Sequence, residues 1–271
     1  MGASGYTADE IKEVERLGAR VVGFEDRLFV SEARNRIAEA ATGDLLLFLD
    51  DDNELDEHAA SRLASALEDS SRIAVAGALT YYGDERDRIW CAGVEQDRLL
   101  GLWKQRTTLP DPVPELLPTF VYHNCFMVRR ADFQAVGGFA QDQLPMLHAE
   151  PDVILRIAQL SGGAVVCVTG ARSWHYISPN LARNLHVYDP TLAYHTARAR
   201  SIFVAKHGGR LGWVAHLAVR QWALAGFYLL VALTSGPAGK RMAVAKEYLR
   251  GVSDGMRQAW SIRRHGRPRL R

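Results

Sequence analysis

Cysteine is scarce in this chain: three residues in 271, Cys91, Cys125 and Cys167. Their wide, unpaired spacing excludes a disulfide framework and a thiolate metal site, and makes a reducing compartment the simpler setting. The opening MGASGYTADE has no basic segment ahead of an apolar run, so no secretory signal is expected. Internal repeats and low-complexity tracts are also missing. No apolar run reaches the about 20 residues that a bilayer crossing needs. The stretch 211–235 comes nearest, but Arg220 and Gln221 interrupt it and the clean part, 222–233, is too short. Spanning with an arginine near the middle would cost about 2.5–3.5 kcal/mol.

Acid is the other deficit, and it is local. Residues 188–271 hold 3 Asp+Glu against 15 Lys+Arg, whereas residues 1–187 hold 28 against 18. An acidic body therefore precedes a basic tail suited to an anionic partner. The tail shows no interleaved aromatic and basic platform, which argues against nucleic acid. Apolar and basic signals coincide there, so an interfacial or re-entrant helix pair is expected over 211–235. Trp213, Trp222 and Tyr228 would then lie at headgroup depth, with RRHGRPRLR drawn to anionic lipid.

What is present in the first 187 residues is an alternation of strand and helix patterns, the mark of a layered α/β domain. Helices are expected over 8–17, 31–41, 56–69 and 150–160, and strands over 19–24, 45–49, 73–79, 120–130 and 164–170. The run Leu45 to Leu49 reads as a central strand buried on both faces. The stretch 81–118 has no clear period and reads as a loop-rich insertion with irregular hairpins. A helical pattern resumes over 190–207.

Three clusters carry chemistry. Asp50, Asp51 and Asp52 close a buried strand, and ligands of open α/β sheets bind at the carboxyl ends of strands. One aspartate would suffice to cap the next helix, so three favour a site for Mg²⁺ or Mn²⁺ bridging to phosphate. In an extended chain the side chains of Asp50 and Asp52 share a direction, away from Asp51. In HAEPDVILR, Glu150 and Asp152 stand at a helix start, where the helix dipole alone accounts for a carboxylate; Glu150 is the better placed of the two for general-base work. In SWHY, His175 ends a strand where a neutral imidazole suits a metal or a phosphate, and Trp174 offers a stacking face for a sugar.

In this order and spacing, residues 20–178 resemble the family 2 glycosyltransferases of the GT-A fold, including rhamnosyl- and galactofuranosyl-transferase-like members. The matching pieces are SEARNRIAEAATGDLLLFLDDDNE, NCFMVRRADFQAVGGF, EPDVILRIAQLSGG and ARSWH. The resemblance implies a GT-A (Rossmann-like), mixed, mostly parallel sheet flanked by helices, with a C-terminal helical extension. It implies a catalytic domain over 1–187 and a membrane-associating region over 188–271. It makes Asp50-Asp51-Asp52 the DxD element, with Asp50, Asp52 and His175 around a divalent cation. Arg34, Asn35, Asp50, Asp51, Asn124 and Cys125 would serve the nucleotide-sugar donor. Trp174 and Arg156 would serve a glycan or lipid-linked acceptor, and Glu150 with Asp152 would form the catalytic pair. The expected activity is inverting sugar transfer at the inner face of the cell membrane.

Two departures from the family pattern stand out. The base position holds Glu150 after Ala149, where the family places an aspartate after another acid; the longer side chain reaches about one bond further. The family's opening strand-helix-strand unit is also expected to be absent, because residues 1–5 read as the loop that follows it. That absence would leave an exposed sheet edge. Two other readings remain: a catalytically degenerate, membrane-docked interaction module, and an aspartyl phosphatase or phosphotransferase. The second normally has a threonine where this chain has Glu54.

Overall fold

The computed structural model describes residues 2–3, 7–24, 28–96, 103–177 and 187–265. At the front, β1 (Gly2–Ala3) and β2 (Val22–Gly23) pair in parallel across α1 (Ala8–Arg16). α1 starts in a capping box. The Glu10 N–H donates to the Thr7 hydroxyl at 3.3 Å, and the Thr7 N–H donates to the Glu10 carboxylate at 2.7 Å.

Among the described residues the main sheet has seven strands. Its path runs β3 (Leu45–Leu49), β10 (Cys125–Arg129), β5 (Ile73–Tyr82), β11 (Ala164–His175) and β4 (Asn53–Leu55). β6 (Ile89–Cys91) joins β5, and β9 (Leu116–Thr119) joins β11. β5 and β11 are parallel, while β10 runs against both β3 and β5, so β3, β5 and β11 share one direction. β7 (Val94–Gln96) and β8 (Trp103–Gln105) form a separate hairpin from the aperiodic insertion.

Side-chain alternation puts a core on each face of this sheet. From β10, Cys125 and Met127 meet Leu63 and Leu67 of α3 (Ala59–Glu68) on one face. Phe126 and Val128 meet Val153, Ile154 and Ile157 of α5 (Ala149–Ser161) on the other. α2 (Val30–Ala40) and the short α4 (Arg130–Ala135) cover the same second face through Ala38 and Phe133.

The expectation for residues 45–49 needs correction. Among the described residues β3 pairs with β10 alone and stands at the sheet edge. Leu46 and Phe48 are buried, while Leu49 is 39% exposed. An unbroken apolar run thus reports apolar content without deciding how many neighbours a strand has.

Beyond residue 187, α6 (Pro190–His207) follows an Asp189 cap whose carboxylate accepts the N–H groups of Thr191 and Leu192. α8 (Arg241–Arg264) lies along α6 at very close range. Gly251 and Gly255, one turn apart on α8, face the backbone carbonyls of Tyr194 and Arg198, where any Cβ would collide. Leu144, Ala199, Ile202 and Phe203 form a cluster that ties α6 to the sheet body through Trp103, Leu147 and Leu155.

Between them, residues 210–235 form one helix, α7 (Arg210–Ser235), with a π-helical turn at His216–Arg220. The expected re-entrant pair is therefore a single helix of 26 residues. The interruption at Arg220 and Gln221 is absorbed by packing: Gln221 and His216 are buried, and the Ser201 hydroxyl meets both, at 3.4 and 3.0 Å. Trp213 and Tyr228, expected at headgroup depth, are buried instead, with Tyr228 stacked on Tyr248 at 3.7 Å. Trp222 is 54% exposed. Most of the basic tail sequence, 266–271, lies outside the described residues.

Candidate active site

The three aspartates lie in a tight turn, and this changes what each one does. The Asn53 N–H donates to the Asp50 carbonyl at 3.2 Å, which closes the turn over 50–53. The chain is therefore not extended here, and Asp50 and Asp52 do not share a direction. Asp50 turns to Arg34, with which it forms a short ion pair. Asp52 turns to His175, whose Nε2 lies 3.1 Å from its Oδ2. Asp51 is exposed at the rim.

Register brings His175 there. β4 pairs antiparallel with the end of β11, setting His175 opposite Asn53. The Tyr176 N–H then donates to the Asp52 carbonyl at 2.9 Å. The Trp90 ring packs edge-on against the imidazole at 4.4 Å between centroids. Nothing in the aperiodic insertion marks Trp90 as a site residue; only the fold places it.

From His175 the polar contacts continue. The Asn124 side-chain amide lies 3.0 Å from its Nε2 and 3.2 Å from its Nδ1, and the Asn124 N–H donates to Glu150 at 3.3 Å. Asn124 holds this double contact in a left-handed conformation, φ 71°, that asparagine tolerates better than most residues. Glu150, at the start of α5, accepts an ion pair from Arg34 at 2.9 Å. Arg34 thus joins Glu150 to Asp50. Six side chains from α2, the 50–53 turn, β11, the loop before β10 and α5 form one connected group.

Its electrostatics are uneven. Burial pushes the Asp50 carboxyl up to about 6, against the pull of Arg34. Burial also raises Asp52, but the hydrogen bond and charge of His175 outweigh it and hold Asp52 below the ordinary carboxylate range. Burial works against the charge of Arg34, and Glu150 and Asp50 more than restore it. Arg34, Asp50, Asp52 and Glu150 of this group line a cavity of about 610 Å³, together with Phe29, Tyr188, Asp189 and Thr191. That volume suits a bound small molecule. The contribution of the start of α6 to this wall is not visible in the sequence.

Five other expected site residues lie elsewhere or do other work. Asp152 is fully buried, held by Lys206 at 2.6 Å, His207 at 2.7 Å and Arg156 at 2.8 Å. With its oxygens engaged by α6, it serves as a structural link and not as an acid or base. Arg156 donates to Asp152 and to the carbonyls of Val136 and Gly138, away from the Glu150 group. Asn35 is occupied by Phe139 and Gln141. Cys125 packs inside the α3-side core, where burial pushes its thiol up to about 12. Trp174, on the opposite face of β11 from His175, is covered by the Arg86 guanidinium at 3.9 Å.

The fold and this geometry agree with sequence and structural likeness. Residues 2–137, half of the chain, match Glycosyl transferase family 2, and the protein belongs to that family. Two solved structures share its fold. One is GalNAc-T7 with UDP, GalNAc and Mn²⁺, at 17% identity and TM-score 0.52, matched over 82% of this chain and 49% of that one. The other is the mannosyltransferase PcManGT from Pyrobaculum calidifontis in complex with GDP-Man and Mn²⁺, at 16% identity and TM-score 0.50, matched over 97% and 76%. The chain therefore spans about half the length of the first. No curated protein matches the sequence.

Proposed function

We propose that the protein is an inverting glycosyltransferase that moves a sugar from a nucleotide-sugar donor to an acceptor hydroxyl at a membrane surface. The observation that carries this reading is that Arg34, Asp50, Asp52 and Glu150 line one cleft, with His175 and Asn124 bonded directly to Asp52 and Glu150.

The residues present fit a divalent cation as a half-site. Among the described residues no three His, Cys, Asp or Glu side chains are gathered as a cage. The Asp52 oxygen and His175 nitrogen, however, lie 3.1 Å apart. Two neighbouring ligands about 2.1 Å from an octahedral cation sit about 3 Å apart, and Mg²⁺ commonly takes one or two protein ligands with the rest from phosphate and water. Asp50 is the exception in the expected set, because Arg34 holds its carboxylate. Mg²⁺ or Mn²⁺ on Asp52 and His175 would supply positive charge for the departing diphosphate.

The protein's own residues do the rest. Glu150, fixed by Arg34 and the Asn124 N–H, takes the proton of the acceptor hydroxyl. The freed oxygen bonds to the anomeric carbon as the carbon–oxygen bond to the diphosphate breaks, and the electron pair leaves with the diphosphate. One displacement inverts the anomeric configuration. Arg34 and Asp51 line the donor side, and Arg34 also keeps Asp50 from crowding the diphosphate with an unpaired charge.

The membrane part of the proposal rests on α7. Its outward face carries Val214, Trp222, Phe227, Leu230 and Leu233, all exposed. At 26 residues it is about 39 Å long, enough for a hydrocarbon core of about 30 Å. Its other face packs on α6 and α8, with Trp213, His216, Gln221 and Tyr228 buried. One packed and one apolar open face describe a helix lying in an interface beside the cytoplasmic body.

Replacing Glu150 with Gln tests the chemistry. Sugar transfer from a panel of nucleotide sugars is expected to fall by about 10²–10⁴-fold. Donor and Mn²⁺ binding, measured by calorimetry, should persist. Retained turnover in the variant removes Glu150 as base.

A further inference from the structure

A second cleft, of about 510 Å³, lies between α6 and α7. Leu211, Gly212, His216, Arg220 and Leu224 line it at successive turns of α7. From residue 211 to 224 a helix advances about 20 Å, so the cleft is a long groove that follows α7. Phe203 and Val204 of α6 form the facing wall, and Trp103 and His148, both packed on Phe203, close the inner side.

The glycines of the lining differ in what they do. At Gly208 a Cβ would strike the Val204 carbonyl oxygen at 2.5 Å, so glycine serves close approach there. At Gly209 and Gly212 a Cβ would meet no protein atom within 4 Å. Glycine weakens a helix relative to alanine, and among the described residues no packing contact calls for it at position 212 of α7. The room that these two glycines leave adds to the groove, not to the protein's own core. Burial also pushes the histidines of the lining, His148, His207 and His216, below their ordinary value. Neutral rings beside Trp103 and Phe203 suit an uncharged, apolar occupant.

The groove is open at both ends. Leu211 and Leu224 belong to its lining and are themselves exposed, and the open face of α7 continues from Leu224 through Phe227, Leu230 and Leu233. One leaflet of a bilayer is about 15 Å of hydrocarbon, half of a core of about 30 Å, so a groove of about 20 Å has the length of one acyl chain. At the Leu211 end stands Arg210, the exposed arginine of the lining, where a phosphate would find a cation.

We propose that this groove takes one acyl chain of a bilayer phospholipid, with the phosphate at Arg210 and the chain laid along α7 towards Leu224. The protein then holds a lipid of the membrane inside its helical part, in addition to resting the open face of α7 on the bilayer. The assignment rests on the membrane part of the reading above and uses none of its sugar chemistry.

Photolabelling of the full chain tests it. The probe is a vesicle of phosphatidylglycerol containing phosphatidylcholine with a diazirine at the end of one acyl chain, and the labelled residues are mapped after irradiation. Label should reach Trp103, Phe203 or Val204 inside the groove as well as Trp222, Phe227 and Leu230 outside it. Gly212→Phe fills the open space and should cut the inner label by about tenfold or more, the cost of overpacking an occupied site. Its outer label should stay, which shows that the variant folds and docks. Gly209→Phe, on the turn before α7, repeats the test without altering the helix and should give the same loss. Gly212→Ala occupies little of the groove and should label as the wild type does. Farnesyl phosphate in equal amount should leave the inner label in place. Label confined to the outer residues, inner label undiminished in both phenylalanine variants, or its removal by farnesyl phosphate would each overturn the assignment, the last by giving the groove to an isoprenoid. Where the outer label persists, the groove assignment alone fails; if vesicles neither bind nor label the wild type, the membrane reading fails with it.

Discussion

Asp50 and Asp52 stand two residues apart and meet different partners because a turn, not a strand, carries them. Asp50 is drawn into the Arg34 ion pair and becomes part of the scaffold that fixes Glu150; Asp52 keeps an open carboxylate beside His175. Burial acts just as selectively on the histidines. His148 and His216 are held neutral, with pKa values pushed down to about 3 and about 4 from an ordinary value near 6.5. The unfolded chain takes up these protons first, so stability is complete above about pH 6.5 and is lost as pH falls towards 4. The slope is at most about 1.4 kcal/mol per pH unit for each histidine. Thermal melts at about pH 7.5 and 5 should show His148→Gln losing less stability with acid than the wild type. An identical loss would contradict the assignment. Glu150, Asp52 and His175 were legible in the sequence because each carries its chemistry at the end of a recognisable element. Asn35, Arg156 and Cys125 were not, because their roles depend on which carbonyl or core residue a distant segment brings to them.

At the scale of elements, a buried carboxylate joins α5 to α6. Asp152 on α5, itself without solvent, receives Lys206 and His207 from α6 and Arg156 from its own helix. Removing the carboxylate charge leaves buried cations unmatched, which costs about 3–5 kcal/mol. Asp152→Asn should lower stability by that amount in urea unfolding. A change below about 1 kcal/mol would mean that the cluster is solvated. The strands β3, β5, β10 and β11, the main helices of the body and α6 over 190–207 could be read from their periods. The short strands β4, β6 and β9, the edge position of β3 and the continuity of α7 could not. Each depends on a partner: β11 for β4 and β9, β5 for β6, β10 for β3, and Ser201 for the polar break in α7.

For the whole molecule, the division of charge between residues 1–187 and 188–271 has a structural counterpart. The acidic part supplies the carboxylate cleft, and the basic part supplies α6, α7 and α8, with the open apolar face of α7. The two share a core through Phe203 and Trp103. Composition announced the asymmetry, but this shared core emerges only from packing. The account stands on Asp52 and His175 holding a cation for a nucleoside diphosphate in the cleft of Glu150. The most direct measurement is a Mn²⁺ titration followed by electron paramagnetic resonance, in the presence of nucleoside diphosphates. The wild type should bind one Mn²⁺, and Asp52→Ala and His175→Ala should each weaken it by about tenfold or more. Binding of equal strength in both folded variants would contradict the account.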